Sequence, residues 1–234
     1  TKTFLGNAAN VGIDVTTGNT LTLNTPLTFT AGSYALQKND NGILELGTAT
    51  ITVVGTSTST WDGTLTVSAG AVRISDGAAL GTGSVSTIVS NSGAALQLNG
   101  GFTLGEMLTL NGTGLNTQGA IQALSGASTL TGTVTLTGAT TIGADAGASL
   151  TLTTLAGTQA LTFAGAGSIN LGGTFVSVPT SLTQIGSGRT ALTIAGTGFT
   201  GALAVNAGTF ALTGLGAIGG AGALTVNLGA TLAV

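Results

Sequence analysis

Residues 61–83 read WDGTLTVSAGAVRISDGAALGTG, and residues 199–221 read FTGALAVNAGTFALTGLGAIGGA. Laid over each other, the two stretches share Gly63/Gly201, Leu65/Leu203, Val67/Val205, Ala69/Ala207, Gly70/Gly208, Ala79/Ala217 and Gly81/Gly219. An aromatic opens each, Trp61 or Phe199. Inside each, apolar residues alternate with small ones, as in Leu65-Thr66-Val67 and Leu203-Ala204-Val205. Period two marks a strand with one buried face. A Gly corner follows, then a second strand and a turn. After a two-residue slip the likeness continues: Gly93-Ala94-Ala95-Leu96-Gln97-Leu98 answers Gly229-Ala230-Thr231-Leu232-Ala233-Val234.

The same alternation recurs at Leu21-Thr22-Leu23, Val134-Thr135-Leu136, Leu150-Thr151-Leu152 and Leu224-Thr225-Val226. Thr suits an extended backbone because it is β-branched. Gly-containing corners separate these runs, among them Asn111-Gly112-Thr113-Gly114 and Gly219-Gly220-Ala221-Gly222. No dozen residues show helical spacing with caps. Short strands repeating at regular corners predict a solenoid. The expected architecture is all-β: one domain over 1–234, a parallel β-helix of about ten short-strand rungs of ~20–24 residues each. Rungs ~4.8 Å apart make a body ~50 Å long. Leu65, Val67, Leu203 and Val205 are expected inside it. A transmembrane barrel needs longer strands and aromatic girdles. A β-sandwich leaves the repeated corner spacing unexplained.

Composition narrows the function. Gly (41) and Thr (46) dominate the 234 residues, yet 63 Leu, Ile, Val and Phe supply a core that disordered chains lack. The absence of His and Cys excludes zinc, iron–sulfur, haem and thiol chemistry, and triads built on His. Four basic residues cannot form a nucleic-acid surface. Gly, Thr and Ser interrupt every apolar run before it reaches membrane-spanning length, so no membrane insertion is expected. The opening Thr1-Lys2-Thr3-Phe4 lacks the basic start and apolar run of a signal peptide, so a mature or excised piece is expected.

The segments Gly63-Thr64-Leu65-Thr66-Val67-Ser68-Ala69-Gly70, Val72-Arg73-Ile74 and Ala79-Leu80-Gly81-Thr82-Gly83 resemble the autotransporter-associated β-strand repeat of bacterial surface proteins. The second copy, 201–220 with 224–232, is similar to it as well, and 131–172 carry the pattern in looser form. The resemblance implies a right-handed parallel β-helix exported to the cell surface as a stalk or adhesin passenger. The translocating β-barrel and signal peptide of that family are not among these residues.

Some parallel β-helices are carbohydrate-active enzymes, and a glycosidase needs two nearby carboxyls with one pKa raised. The acids are Asp14, Asp40, Glu45, Asp62, Asp76, Glu106 and Asp145. Asp62 and Asp76 flank the first unit, within reach of Arg73. Asp62-Gly63 and Asp76-Gly77 are also turn dipeptides, and that reading is preferred. Lys38-Asn39-Asp40-Asn41-Gly42 resembles part of a calcium loop without its ligand spacing, so a polar loop is expected. Asn111-Gly112-Thr113 fits the N-glycosylation pattern by composition alone. Trp61 is expected to cover a rung edge, with sugar stacking as the other reading. Thr-x-Thr pairs at 20–22, 56–60, 64–66, 133–137 and 151–153 raise an ice-binding solenoid as a further alternative, although their spacing is irregular.

Solenoids need polar caps, because a bare last rung recruits other chains. Leu232-Ala233-Val234 reads as mid-strand with no cap. The expectation is a segment of a longer surface protein, or a fibre subunit stacking head to tail. The function expected is therefore structural and non-enzymatic, extracellular or on a bacterial cell surface. Its partners are further copies or neighbouring solenoid segments, and surface glycans. No catalytic residue, cofactor or metal is assigned.

Overall fold

The computed structural model describes residues 2–3, 10–25, 27–29, 35–47, 51–53, 63–81, 86–193, 199–213 and 222–234. Trp61, Asp62 and the 56–60 threonines lie outside them. The chain is a parallel β-solenoid whose strands stack into three walls. Every described strand pairing is parallel and joins segments a rung apart.

The first wall stacks Asn10–Asp14, Ala35–Asn39, Leu65–Val67, Ser86–Val89 and Met107–Gly112. It continues through the start of Val134–Ala144 and the ends of Ser149–Ala156 and Ser168–Phe175. The second wall stacks ten segments. These are Thr20–Leu23, Ile43–Leu46, Gly70–Ile74, Ala94–Asn99, Ile121–Ser125, the end of Val134–Ala144, Leu161–Ala164, Ser181–Gln184, Ala202–Val205 and Leu224–Val226. Nine steps of ~4.8 Å make it roughly 43 Å tall. The third wall runs from Thr103–Leu104 to Thr231–Ala233, and Lys2–Thr3, Leu27–Phe29 and Ile51–Val53 form a separate three-stranded stack.

Alternation sorts inside from outside as expected. Leu65, Val67, Leu203 and Val205 are all buried, whereas Thr66 between them is half-buried. Inward columns are stacks of like residues. One runs Leu36, Leu65, Thr87, Leu108, Val134, Leu155. Each fully buried Leu contributes ~1.5–3 kcal/mol. Outward threonines also join rungs. The hydroxyls of Thr131, Thr153 and Thr193 donate to the carbonyls of Leu104, Leu130 and Leu171 at 3.3, 3.1 and 3.1 Å.

The two self-similar units do not occupy the same place. Leu65–Val67 and Gly70–Ile74 turn the corner from first wall to second, whereas Ala202–Val205 and Thr209–Leu212 turn from second to third. The shared corner explains this. Gly70 and Gly208 both have positive φ (65° and 62°), and a Cβ on either would run into a carbonyl oxygen of the rung below, that of Gly42 or Gly188. The motif encodes a corner, and two corners of the prism accept it.

Candidate functional site

Among the described residues, the acids form no group of three or more. Asp76 caps its own turn, its carboxylate accepting from the Ala78 backbone N–H at 2.8 Å. That matches the turn reading. Arg73 points away from its chain neighbours and along the stack. Its guanidinium sits 3.9 Å from Glu45 in the rung below and donates to Gln97 Oε1 in the rung above at 3.0 and 3.2 Å.

These contacts belong to a side-chain ladder on the outside of the second wall. Thr22 donates to Glu45 (3.0 Å), Gln97 donates to Gln122 Oε1 (3.0 Å), and Gln122 donates to Asp145 (2.8 Å). Six residues from six successive rungs are thus linked. Opposite charges at Arg73 and Asp145 set the sense of the two amides between them, with carbonyls towards the cation and N–H groups towards the anion. Gln97 and Gln122 are buried at only 5 % exposure, so these bonds act with little competition from water. Sequence reasoning missed the ladder, because its members lie 23 to 28 residues apart and only stacking aligns them.

Of the expected polar loop 38–42, only 40–42 form the corner, since Lys38 and Asn39 belong to the strand Ala35–Asn39. Lys38 shares the parity of Leu36 in its strand and turns into the core, where it is fully buried. Its ammonium donates to the backbone carbonyls of Asn39 (2.5 Å), Asp40 (2.8 Å) and Ala69 (3.3 Å), tying two successive corners together. Burial pushes the Lys38 pKa below the ordinary lysine value, against the opposing pull of Asp40 and Asp14. The corner carbonyls hold an ammonium. Gln184 does the same work uncharged. It points inward, donates to the carbonyls of Gly186 (2.9 Å) and Gly188 (3.4 Å), and accepts from Thr190 (2.6 Å).

Glu106 is the second surprise. It is 6 % exposed, its carboxyl accepts from the buried Thr87 hydroxyl at 3.3 Å, and burial raises its pKa to about 7 while that bond opposes the rise. A raised carboxyl pKa suits a general acid, but this one faces the core column beside Thr87. Among the described residues, no group of three or more acids is placed to hold a metal ion. Asn111 uses its side-chain amide to donate to Ser90 O at 3.2 Å. The Thr-x-Thr pairs are dispersed: 64–66 and 133–135 on the first wall, 20–22 on the second, 151–153 on the third. They form no single flat rank.

No family model, curated protein or solved structure matches this chain at a significant level.

Proposed function

We propose that the chain is a non-enzymatic structural and adhesive β-solenoid, serving outside the cell or on a bacterial surface as a stalk, passenger or filament segment. The observation that carries this reading is the use made of the polar groups. Glu45, Arg73, Gln97, Gln122 and Asp145 bind rung to rung, and Lys38, Asp76 and Gln184 close corners. That chemistry resists unwinding and, among the described residues, uses these acids to hold rungs and corners. The surface location rests on the resemblance of the corner repeat to autotransporter passengers.

The inward columns support a second solenoid layer as the partner. Leu224 and Val226 extend the columns of Leu203 and Val205, yet they are 56 % and 43 % exposed where the latter are 2 % and 0 %. A further parallel layer laid on them buries both and satisfies their strand edge. Another solenoid segment supplies such a layer, and a second copy stacked head to tail supplies it repeatedly. Electron microscopy over a concentration series tests this. Rods in multiples of roughly 43 Å are expected, and Leu224→Asp should shorten them to single units. Strictly single particles at the highest concentration, combined with rapid proteolysis of the folded walls, would overturn the reading.

A further inference from the structure

The corner between first and second walls is short in most rungs. Residues 40–42 make it between Ala35–Asn39 and Ile43–Leu46, and residues 68–69 make it between Leu65–Val67 and Gly70–Ile74. Between Met107–Gly112 and Ile121–Ser125 the same corner takes residues 113–120 and coils into a 3-10 turn, Leu115–Thr117. This excursion reaches back along the ridge. Leu115 and Asn116 line a groove of about 440 Å³ together with Thr17, Asn19, Asn41 and Ile43, which belong to the first two described rungs of the second wall and their corners. Asn116 and Thr117 stand consecutively in the left-handed region, φ 53° and 61°. Such backbone is disfavoured for residues with a Cβ and concentrates at ligand clamps.

The chemistry of the groove is narrow. None of the residues lining it is ionised. Three amides, of Asn19, Asn41 and Asn116, each both donate and accept hydrogen bonds, as sugar hydroxyls do. The Asn19 amide is held in place by donating to Thr16 Oγ1 at 2.8 Å. Ile43 and Leu115 are half-buried and add apolar surface between the amides. The volume lies in the range of small-ligand sites, which pair an apolar lining with a few placed polar groups.

We propose that this groove binds a neutral saccharide unit, its hydroxyls bonded to the asparagine amides and its C–H face against Ile43 and Leu115. A groove without charge offers no counter-charge to offset the desolvation of a phosphate, carboxylate or ammonium, so anionic glycans and charged peptides are poorer occupants than neutral sugars. The proposal rests on the adhesive part of the function above and names its ligand class.

The test is two-dimensional NMR of the full ¹⁵N-labelled chain carrying Leu224→Asp, which holds it as single units and lies outside the groove, titrated with maltotriose, cellotriose and chitotriose, and with trigalacturonate and a neutral tripeptide as comparators. At least one neutral trisaccharide should give saturable shifts at the amides of 17–20, 41–43 and 115–117. Asn41→Ser and Asn116→Gly should each weaken it about fivefold or more. Glycine suits the left-handed backbone at 116, so that variant keeps the fold. Absence of shifts there at roughly 10 mM of every neutral sugar, well into the range of weak affinities, overturns the proposal. So do equal shifts with trigalacturonate or the tripeptide. Rod formation in the microscope is read separately, so a failed groove leaves the stacking solenoid standing, and a failed rod leaves the groove assignment intact.

Discussion

The two halves of the solenoid keep their rungs in register by different means. From Ile121 to Val226 the second wall advances by 21 residues at each of five steps: Ile121, Ile142, Phe163, Gln184, Val205, Val226. From Thr22 to Gln122 the steps are 23, 28, 24 and 25. Nine of the eleven charged residues precede Ile121. The ladder from Thr22 to Asp145 spans this irregular part and ends where the constant period begins. With a constant period, apolar residues mostly stack on one another, and core contacts such as Phe163 against Phe210 (ring centroids 6.0 Å apart) are joined by neutral rung-to-rung bonds such as those of Thr153 and Thr193. Where corner lengths vary, alternation alone leaves the register open, since several stackings bury the same parity. Specific side-chain bonds between particular rungs then choose one. Lys38 and Gln184 repeat the contrast: the same corner-closing task is ionic in the irregular half and neutral in the regular one.

Several substitutions probe that contrast, in descending order of effect. Leu65→Asp buries an unpaired charge in a full column and should cost about 4 kcal/mol or more, enough to unfold a marginal domain. Thr66→Asp, one residue along, should cost within about 1 kcal/mol. Denaturant midpoints compare them, and equal effects would refute the inside–outside assignment.

Next comes pH. Glu106 holds its proton to about pH 7 in the folded chain, against an ordinary value of 4.5. The folded state binds more protons than the unfolded one between those values, so the Glu106 contribution to stability is full below pH 4.5 and is lost as pH rises through 7. The loss is at most about 3 kcal/mol. Glu106→Gln should flatten that slope and stabilise the chain at pH 8, as thermal melts across pH will show.

Lys38→Met strips the donor from three corner carbonyls and should cost about 2–3 kcal/mol. Gln184→Met should cost less, about 1–2 kcal/mol, because the bonds it loses are neutral. Chemical denaturation of the pair tests whether the irregular half depends on charge. The smallest contrast sets Arg73→Ala, at about 1–2 kcal/mol, against Thr162→Ala in the regular half, within about 0.5 kcal/mol. A double-mutant cycle of Arg73 with Gln97 should show coupling. Additivity there would mean that the ladder does not hold register.

Much of the fold was legible because its signals are local. The alternation at Leu65-Thr66-Val67 gives inside and outside without knowledge of any partner, and Ala69-Gly70 announces a corner by needing positive φ. The Asp76 turn was legible for the same reason. Lys38 shows where reading by residue type fails: its parity with Leu36 points inward, whereas a lysine in a polar stretch reads as part of a loop. The ladder and the corner groove were not legible at all. Arg73 meets Gln97 and Glu45, and Asn116 approaches Asn41, only after the intervening corners have used up their residues.

What the sequence by itself determined is the short alternating strand, the glycine corner and hence the solenoid, since side-chain parity and backbone conformation act over a few residues. The tertiary structure decided which wall each strand joins. The matching strands Leu65–Val67 and Ala202–Val205 of the two like units stand on different walls, because the corner motif fits both corners and the lengths between corners set the phase. It also decided which polar side chains meet. Stacking partners lie 19 to 29 residues apart in the chain but one ~4.8 Å step apart in space, and no local rule carries that distance.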